Sequence, residues 1–253
     1  MSRRLACIAV LCAAAALVPA AVVADGNHER ELSVLFIGNS FTQFHQLERL
    51  VRRLADNDPG APRIHTHTET RPGCTLRRHW IGRRAVTEIR RGGYTHVVLQ
   101  DHSLRPLDRP EEMVAYARRF DEEIERAGAR TVLYSTWARR PGSGFYRTRP
   151  GLDAHSMQER VDHVYVDLAQ ELDAELAPVG GAFLEAQSSL PEVPLRGRDG
   201  FHPTLAGSYL AACVLFRALT GRSPEGNPYV PWGLEPDIAH GLSQLAASDA
   251  ANE

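Results

Sequence analysis

Three residue types that together make an activated nucleophile stand at opposite ends of this chain. Ser40 closes the segment Leu35-Phe36-Ile37-Gly38-Asn39-Ser40-Phe41. Asp199 and His202 share the segment Asp199-Gly200-Phe201-His202-Pro203. A serine hydroxyl is a weak nucleophile until a base takes its proton. One ring nitrogen of His202 can do that. Asp199 can accept a hydrogen bond from the other nitrogen and stabilise the imidazolium. The chain order is Ser, Asp, His, which excludes the chymotrypsin arrangement. A nucleophile elbow, G-x-S-x-G, is also excluded, because Phe41 and Thr42 follow Ser40.

Positioning these groups requires strands that end where helices begin. Residues 32–37 form a continuous apolar run, suited to a strand buried on both faces. Further strands are expected at 63–69, at an edge, and at 96–100, 131–135 and 181–184. Helical periods fall between them at 44–54, 76–90, 111–127, 153–176 and 204–219, with a short one possible at 238–246. This alternation predicts an α/β fold with a parallel sheet covered by helices on both faces. Sites in such sheets form at the carboxyl ends of the strands. Ser40, Gly73, Gln100, Trp137 and Asp199 all fall just after expected strands or in the loops beyond them.

On these residues the chain resembles the SGNH, or GDSL-like, hydrolase superfamily. Gly38-Asn39-Ser40 is similar to its first block, in a GNS variant of G-D-S. Arg71-Pro72-Gly73-Cys74-Thr75-Leu76 is similar to the second, and Asp199-Gly200-Phe201-His202 matches the last, D-x-x-H. The resemblance runs over roughly residues 32–220. It implies a three-layer α/β/α sandwich, flavodoxin-like, on a five-stranded parallel sheet. It also implies a Ser40–His202–Asp199 triad and an oxyanion hole that uses the backbone N–H groups of Ser40 and Gly73. The family's third block, G-x-N-D, is altered to Leu99-Gln100-Asp101-His102-Ser103, with no asparagine. The Gln100 amide is the favoured third donor, and His102 the alternative.

Each of these residues also has a plainer reading. Ser40 can cap a helix, as serine after a strand commonly does. Asp199 can do the same, and Gly73 can serve only a turn. His65 and His67 share one strand face. Without acidic or cysteine partners in a recognisable spacing they read as a solvated edge, so no metal site is expected. The segment 139–147 interleaves arginines, aromatics and glycines. It reads equally as a solvated connection or as a substrate loop, with Trp137, Phe145, Tyr146 and Arg147 as contacts.

The bulk composition narrows the class. The 253 residues suit one main domain, taken as 25–220, with an extension at 221–253. A formal net charge of −2 gives no reason to expect nucleic acid. No lysine is present; the 29 basic residues are all arginine. Arg3, Arg4, an alanine-rich apolar stretch and Val22-Val23-Ala24 make residues 1–24 read as a secretory signal peptide. Its removal leaves Cys74 and Cys213, whose pairing stays open. The expected protein is an exported serine esterase without metal or organic cofactor. It would act on short acyl esters, such as acetyl groups on carbohydrate or another small polar substrate, without inserting stably into a membrane. A lipase, thioesterase or O-acetyltransferase on the same site, or a glycan-binding protein without turnover, are the alternatives.

Overall fold

The computed structural model describes residues 31–248. The expected signal peptide lies outside them, and the region after residue 220 is described only as far as residue 248. Five parallel strands form one sheet in the order β2-β1-β3-β4-β5: β1 Glu31–Gly38, β2 Arg63–Thr70, β3 His96–Leu99, β4 Arg130–Tyr134 and β5 Glu175–Ala177. Eight helices longer than one turn accompany it among the described residues: α1 Leu47–Asp56, α2 Leu76–Gly82, α3 Arg84–Arg91, α4 Pro110–Arg126, α5 Ala154–Leu172, α6 Val179–Ser189, α7 Leu205–Thr220 and α8 Pro236–Ala247.

Alternation along β1 splits the core into two layers. Val34 and Phe36 face α1, α6, α7 and α8, whereas Leu35 and Ile37 face α2, α3, α4 and α5. All four side chains are fully buried, which explains why β1 reads as an unbroken apolar run. Within the region after residue 220, Ala239, Leu242 and Ala246 of α8 pack into the α7 layer. Cys74 and Cys213 are both buried free thiols, and burial pushes the Cys213 thiol up to about 12. No helix among the described residues is long and apolar enough to cross a membrane.

Three expectations need correction. The fifth strand is Glu175–Ala177, while residues 181–184 lie inside α6. The long helix ends at Leu172 because Asp173 adopts a left-handed cap, φ 49°. Leu176, whose spacing continues the helical stripe, instead pairs with Leu133 in the sheet. The expected helix over 76–90 is two helices, broken where Arg83 takes φ 62°.

Candidate active site

The carboxyl ends of the strands are aligned by register, Gly38 against Thr70 and Ile37 against Leu99. The loops leaving them surround one open cleft of about 620 Å³, lined among others by Ser40, Gly73, His102, Arg139 and His202. Ser40 begins a single helical turn, Ser40–Gln43, capped by Asn39: the Asn39 Oδ1 accepts from the Phe41 N–H at 3.1 Å. The sequence-level capping role for Ser40 thus belongs to its neighbour. The Asn39 amide nitrogen donates to the carbonyls of Cys74 and Asp101, at 3.1 and 3.4 Å. Asn39 therefore ties together the loops after β1, β2 and β3. Gly38 is required here, since a Cβ would meet Thr42 Oγ1 at 2.5 Å and Gln100 Oε1 at 2.6 Å.

His202 reaches Ser40 from the far end of the chain. Its Nε2 lies 2.9 Å from Ser40 Oγ, and its Nδ1 lies 2.7 Å from Asp199 Oδ2. A carboxylate only accepts, so Nδ1 carries the proton and Nε2 is free to take one from Ser40. Asp199 Oδ1 accepts from the N–H groups of Phe201 and His202 at 2.9 and 3.0 Å, so the loop folds around the carboxylate. Desolvation pushes the Asp199 carboxyl upward. The Phe201 and His202 N–H groups and the His202 ring outweigh it and hold the group below the usual carboxylate range. Phe44 stacks on the His202 ring at 4.6 Å between centroids. Its placement depends on His45 and Gln46, both left-handed at φ 53° and 54°. Such conformations cost roughly 1–3 kcal/mol each and gather at functional sites.

Gly73 lines the same cleft and takes φ 63°, which its missing side chain permits. Neither the Ser40 nor the Gly73 N–H donates to a partner among the described residues. Two free donors beside a serine hydroxyl are suited to a developing oxyanion.

The third-donor expectation is corrected. Gln100 is fully buried and outside the cleft. Its Oε1 accepts from the Asn39 N–H at 2.9 Å and the Thr42 hydroxyl at 3.0 Å, and its Nε2 donates to the Asp101 carbonyl. All of its polar atoms are engaged in holding the Ser40 turn. His102 does line the cleft. The Leu104 N–H donates to its Nδ1 at 3.4 Å, which leaves the proton on Nε2. Desolvation, with the positive charges of Arg139 and Arg105, holds its pKa below the ordinary histidine value, so the ring is neutral at pH 7. A neutral Nε2–H is a usable donor.

The substrate-loop expectation is corrected as well. Trp137 is 1% exposed and stacked between Phe41 and Phe183, at 4.4 and 4.1 Å. Its indole N–H donates to the Phe201 carbonyl at 2.8 Å, fastening the loop that bears His202. Phe145, Tyr146 and Arg147 form a short turn that does not line the cleft. Phe145 lies between the guanidinium groups of Arg139 and Arg149, and the Tyr146 hydroxyl donates to the Arg139 carbonyl. Arg139 alone of this segment faces the cleft. The sequence reading missed Asn39 and Phe44 as site residues. Phe44 had no separate signal, because its spacing matches the period of the helix that follows.

His67 does have acidic neighbours, Glu69 and Glu88, brought close by the β2 edge and α3. Arg84 bonds Glu69, while Arg91 and Tyr94 bond Glu88. His65 is paired instead with Glu31 at 3.9 Å.

No protein-family model and no curated protein matches the chain. Among solved structures, it is similar to a candidate SGNH hydrolase from Slackia heliotrinireducens, at 26% identity and TM-score 0.64, covering 75% of this chain and 100% of that one. A DUF4886 family protein from Bacteroides uniformis aligns at 21% identity and TM-score 0.72, over 87% and 94% of the two chains. An acetyl xylan esterase from Geobacillus stearothermophilus aligns at 18% identity and TM-score 0.57, over 79% and 97%. The fold is SGNH hydrolase-like.

Proposed function

We propose that this protein is a serine esterase in which Ser40, His202 and Asp199 act as the catalytic triad. The observation that carries the reading is the unbroken chain of contacts from Ser40 Oγ to His202 Nε2 at 2.9 Å and from His202 Nδ1 to Asp199 Oδ2 at 2.7 Å. His202 takes the Ser40 proton as Oγ attacks the ester carbonyl. The resulting oxyanion lies against the Ser40 and Gly73 N–H groups, with the His202-independent Nε2–H of His102 as third donor. His202 then passes the proton to the leaving alcohol. Water, deprotonated by His202, releases the acid and restores Ser40.

The substrate we favour is a short acyl ester, an acetyl group on carbohydrate or another small polar alcohol. An open, partly polar cleft of about 620 Å³ and the acetyl xylan esterase among the similar structures support that choice. Export to the periplasm or the exterior rests on residues 1–24. The test is hydrolysis of 4-nitrophenyl acetate by the protein without those residues, beside Ser40→Ala and His202→Ala. Loss of roughly a thousandfold or more in kcat is expected in both variants. Equal turnover in all three proteins would remove Ser40 and His202 from the reaction.

A further inference from the structure

Arg139 is the one cationic side chain in the cleft wall, and it has no counter-charge in contact. Among the described residues its guanidinium makes no hydrogen bond and no ion pair, and its Nη1 is shut off from solvent without a partner. It is held by rings instead: its guanidinium carbon lies 4.1 Å from the Phe201 ring centre and 5.5 Å from that of Phe145. The backbone around it is strapped to the His202 loop by the Arg140 N–H, which donates to the Gly200 carbonyl at 2.8 Å.

A half-buried guanidinium without acceptors is unfavourable, because desolvation of the charge is not offset by pairing. Desolvation holds the Arg139 pKa below the ordinary arginine value. The Asp199 charge acts on it, but both Asp199 oxygens are already engaged by Phe201 and His202. The Arg139 charge is also felt by His102, across the cleft. Arg139 lines the cleft together with Ser40, His102 and His202, and its neighbour Arg140 is bonded to the Asp199 loop. Its five N–H donors form a rigid fork that matches two oxygens of one anionic group.

We infer that Arg139 is a specificity-determining residue that binds a negatively charged oxygen-bearing group, a carboxylate, sulfate or phosphate, on the substrate beside its scissile ester. This rests on the esterase reading and narrows its substrate to an anionic ester. The group can lie on the acyl side or the alcohol side. In either place it would fill the acceptor role that no residue of the chain supplies.

Matched esters separate the sources. Mono-4-nitrophenyl succinate against 4-nitrophenyl butyrate tests an acyl-side carboxylate. Acetoxybenzoate against phenyl acetate tests an alcohol-side carboxylate, and 4-acetoxyphenyl sulfate and 4-acetoxyphenyl phosphate test the other anions. In the wild type, kcat/KM should favour the anionic member of at least one pair. In Arg139→Gln the ratio of anionic to neutral kcat/KM should fall roughly 10- to 100-fold, mainly through KM. Arg139→Lys should fall between the two, and it keeps the test open should the glutamine variant not fold. A ratio unchanged in both variants would overturn the inference.

If no ester is turned over, the esterase reading fails separately. Calorimetry with succinate, 4-hydroxybenzoate, sulfate and inorganic phosphate then reads the anion site directly. Binding of one of these to the wild type that is lost in Arg139→Gln supports the inference. Binding equal in both proteins, or absent from both, contradicts it.

Discussion

The two halves of the cleft are built by different means. On the α7 side, Asp199 and His202 are oriented largely by bonds within their own short loop. The Asp199 carboxylate bonds residues two and three positions ahead of it. On the β3 and β4 side, orientation comes from distant partners. Gln100 bonds Asn39, 61 residues away, and Trp137 lies between Phe41 and Phe183. The first half presents its polar groups to solvent and to one another. The second turns a glutamine and a tryptophan inward and leaves His102 and Arg139 at the surface of the cleft. Residues of similar chemical promise thus divide into cleft and core according to where their partners lie in the chain.

Breaking the inward-facing half should cost stability first. Trp137→Ala removes a fully buried ring and should lose about 3–5 kcal/mol in denaturant unfolding. A loss below about 1 kcal/mol would mean that the ring is not a core element.

The two candidates for the third oxyanion donor lie one in each setting, His102 in the cleft wall and Gln100 in the core. His102→Ala should lower kcat for 4-nitrophenyl acetate by roughly 100- to 1000-fold, with the fold intact. Gln100→Met should instead lower stability by about 1–3 kcal/mol, because it strands the Asn39 N–H without an acceptor. Unfolding curves and kcat for the pair would exchange these assignments if the glutamine variant kept its stability and lost turnover while His102→Ala did not.

The smallest effect belongs to the joint between the halves. Asp101 Oδ1 accepts from the N–H groups of Leu76 and His102, at 3.1 and 2.6 Å. Desolvation, opposed by those two hydrogen bonds, raises its carboxyl from 3.8 to about 6. The folded protein therefore holds a proton that the unfolded chain has already released between those values, so stability falls as pH rises through that window. Asp101→Asn keeps an acceptor at the same place without the charge. It should be more stable than the wild type at pH 7 by on the order of 1–3 kcal/mol, with the gap closing below about pH 4. Parallel Tm curves across pH 4–7 would show that Asp101 ionises normally.

The same division decides how much was legible in the sequence. Strands β1, β3 and β4 carry local signals, apolar runs bounded by turns and caps, and β2 alternates as an edge strand does; all four fall where those signals put them. β5 is three residues long. Its Leu176 matches the stripe of the preceding helix, so only the left-handed Asp173 and the pairing with β4 reveal it. The triad residues sit in short motifs, Ser40 just after β1 and Asp199 and His202 in the loop that leads into α7. Gln100 and Trp137 occupy equally suggestive positions, but which way a side chain turns at a strand end is decided by packing from residues far away in sequence. Arg139 was visible only as part of a basic, glycine-rich segment. Its lack of a hydrogen-bonded acceptor is a property of the fold.

The central claim is that Ser40 is an activated nucleophile, and a fluorophosphonate probe tests it without assuming any substrate. The serine oxygen displaces fluoride and forms a stable phosphonyl adduct, which peptide mass spectrometry locates. A single adduct is expected on the peptide carrying Ser40, absent from Ser40→Ala and strongly slowed in His202→Ala. No adduct in the folded protein, or an adduct on another serine, would contradict it.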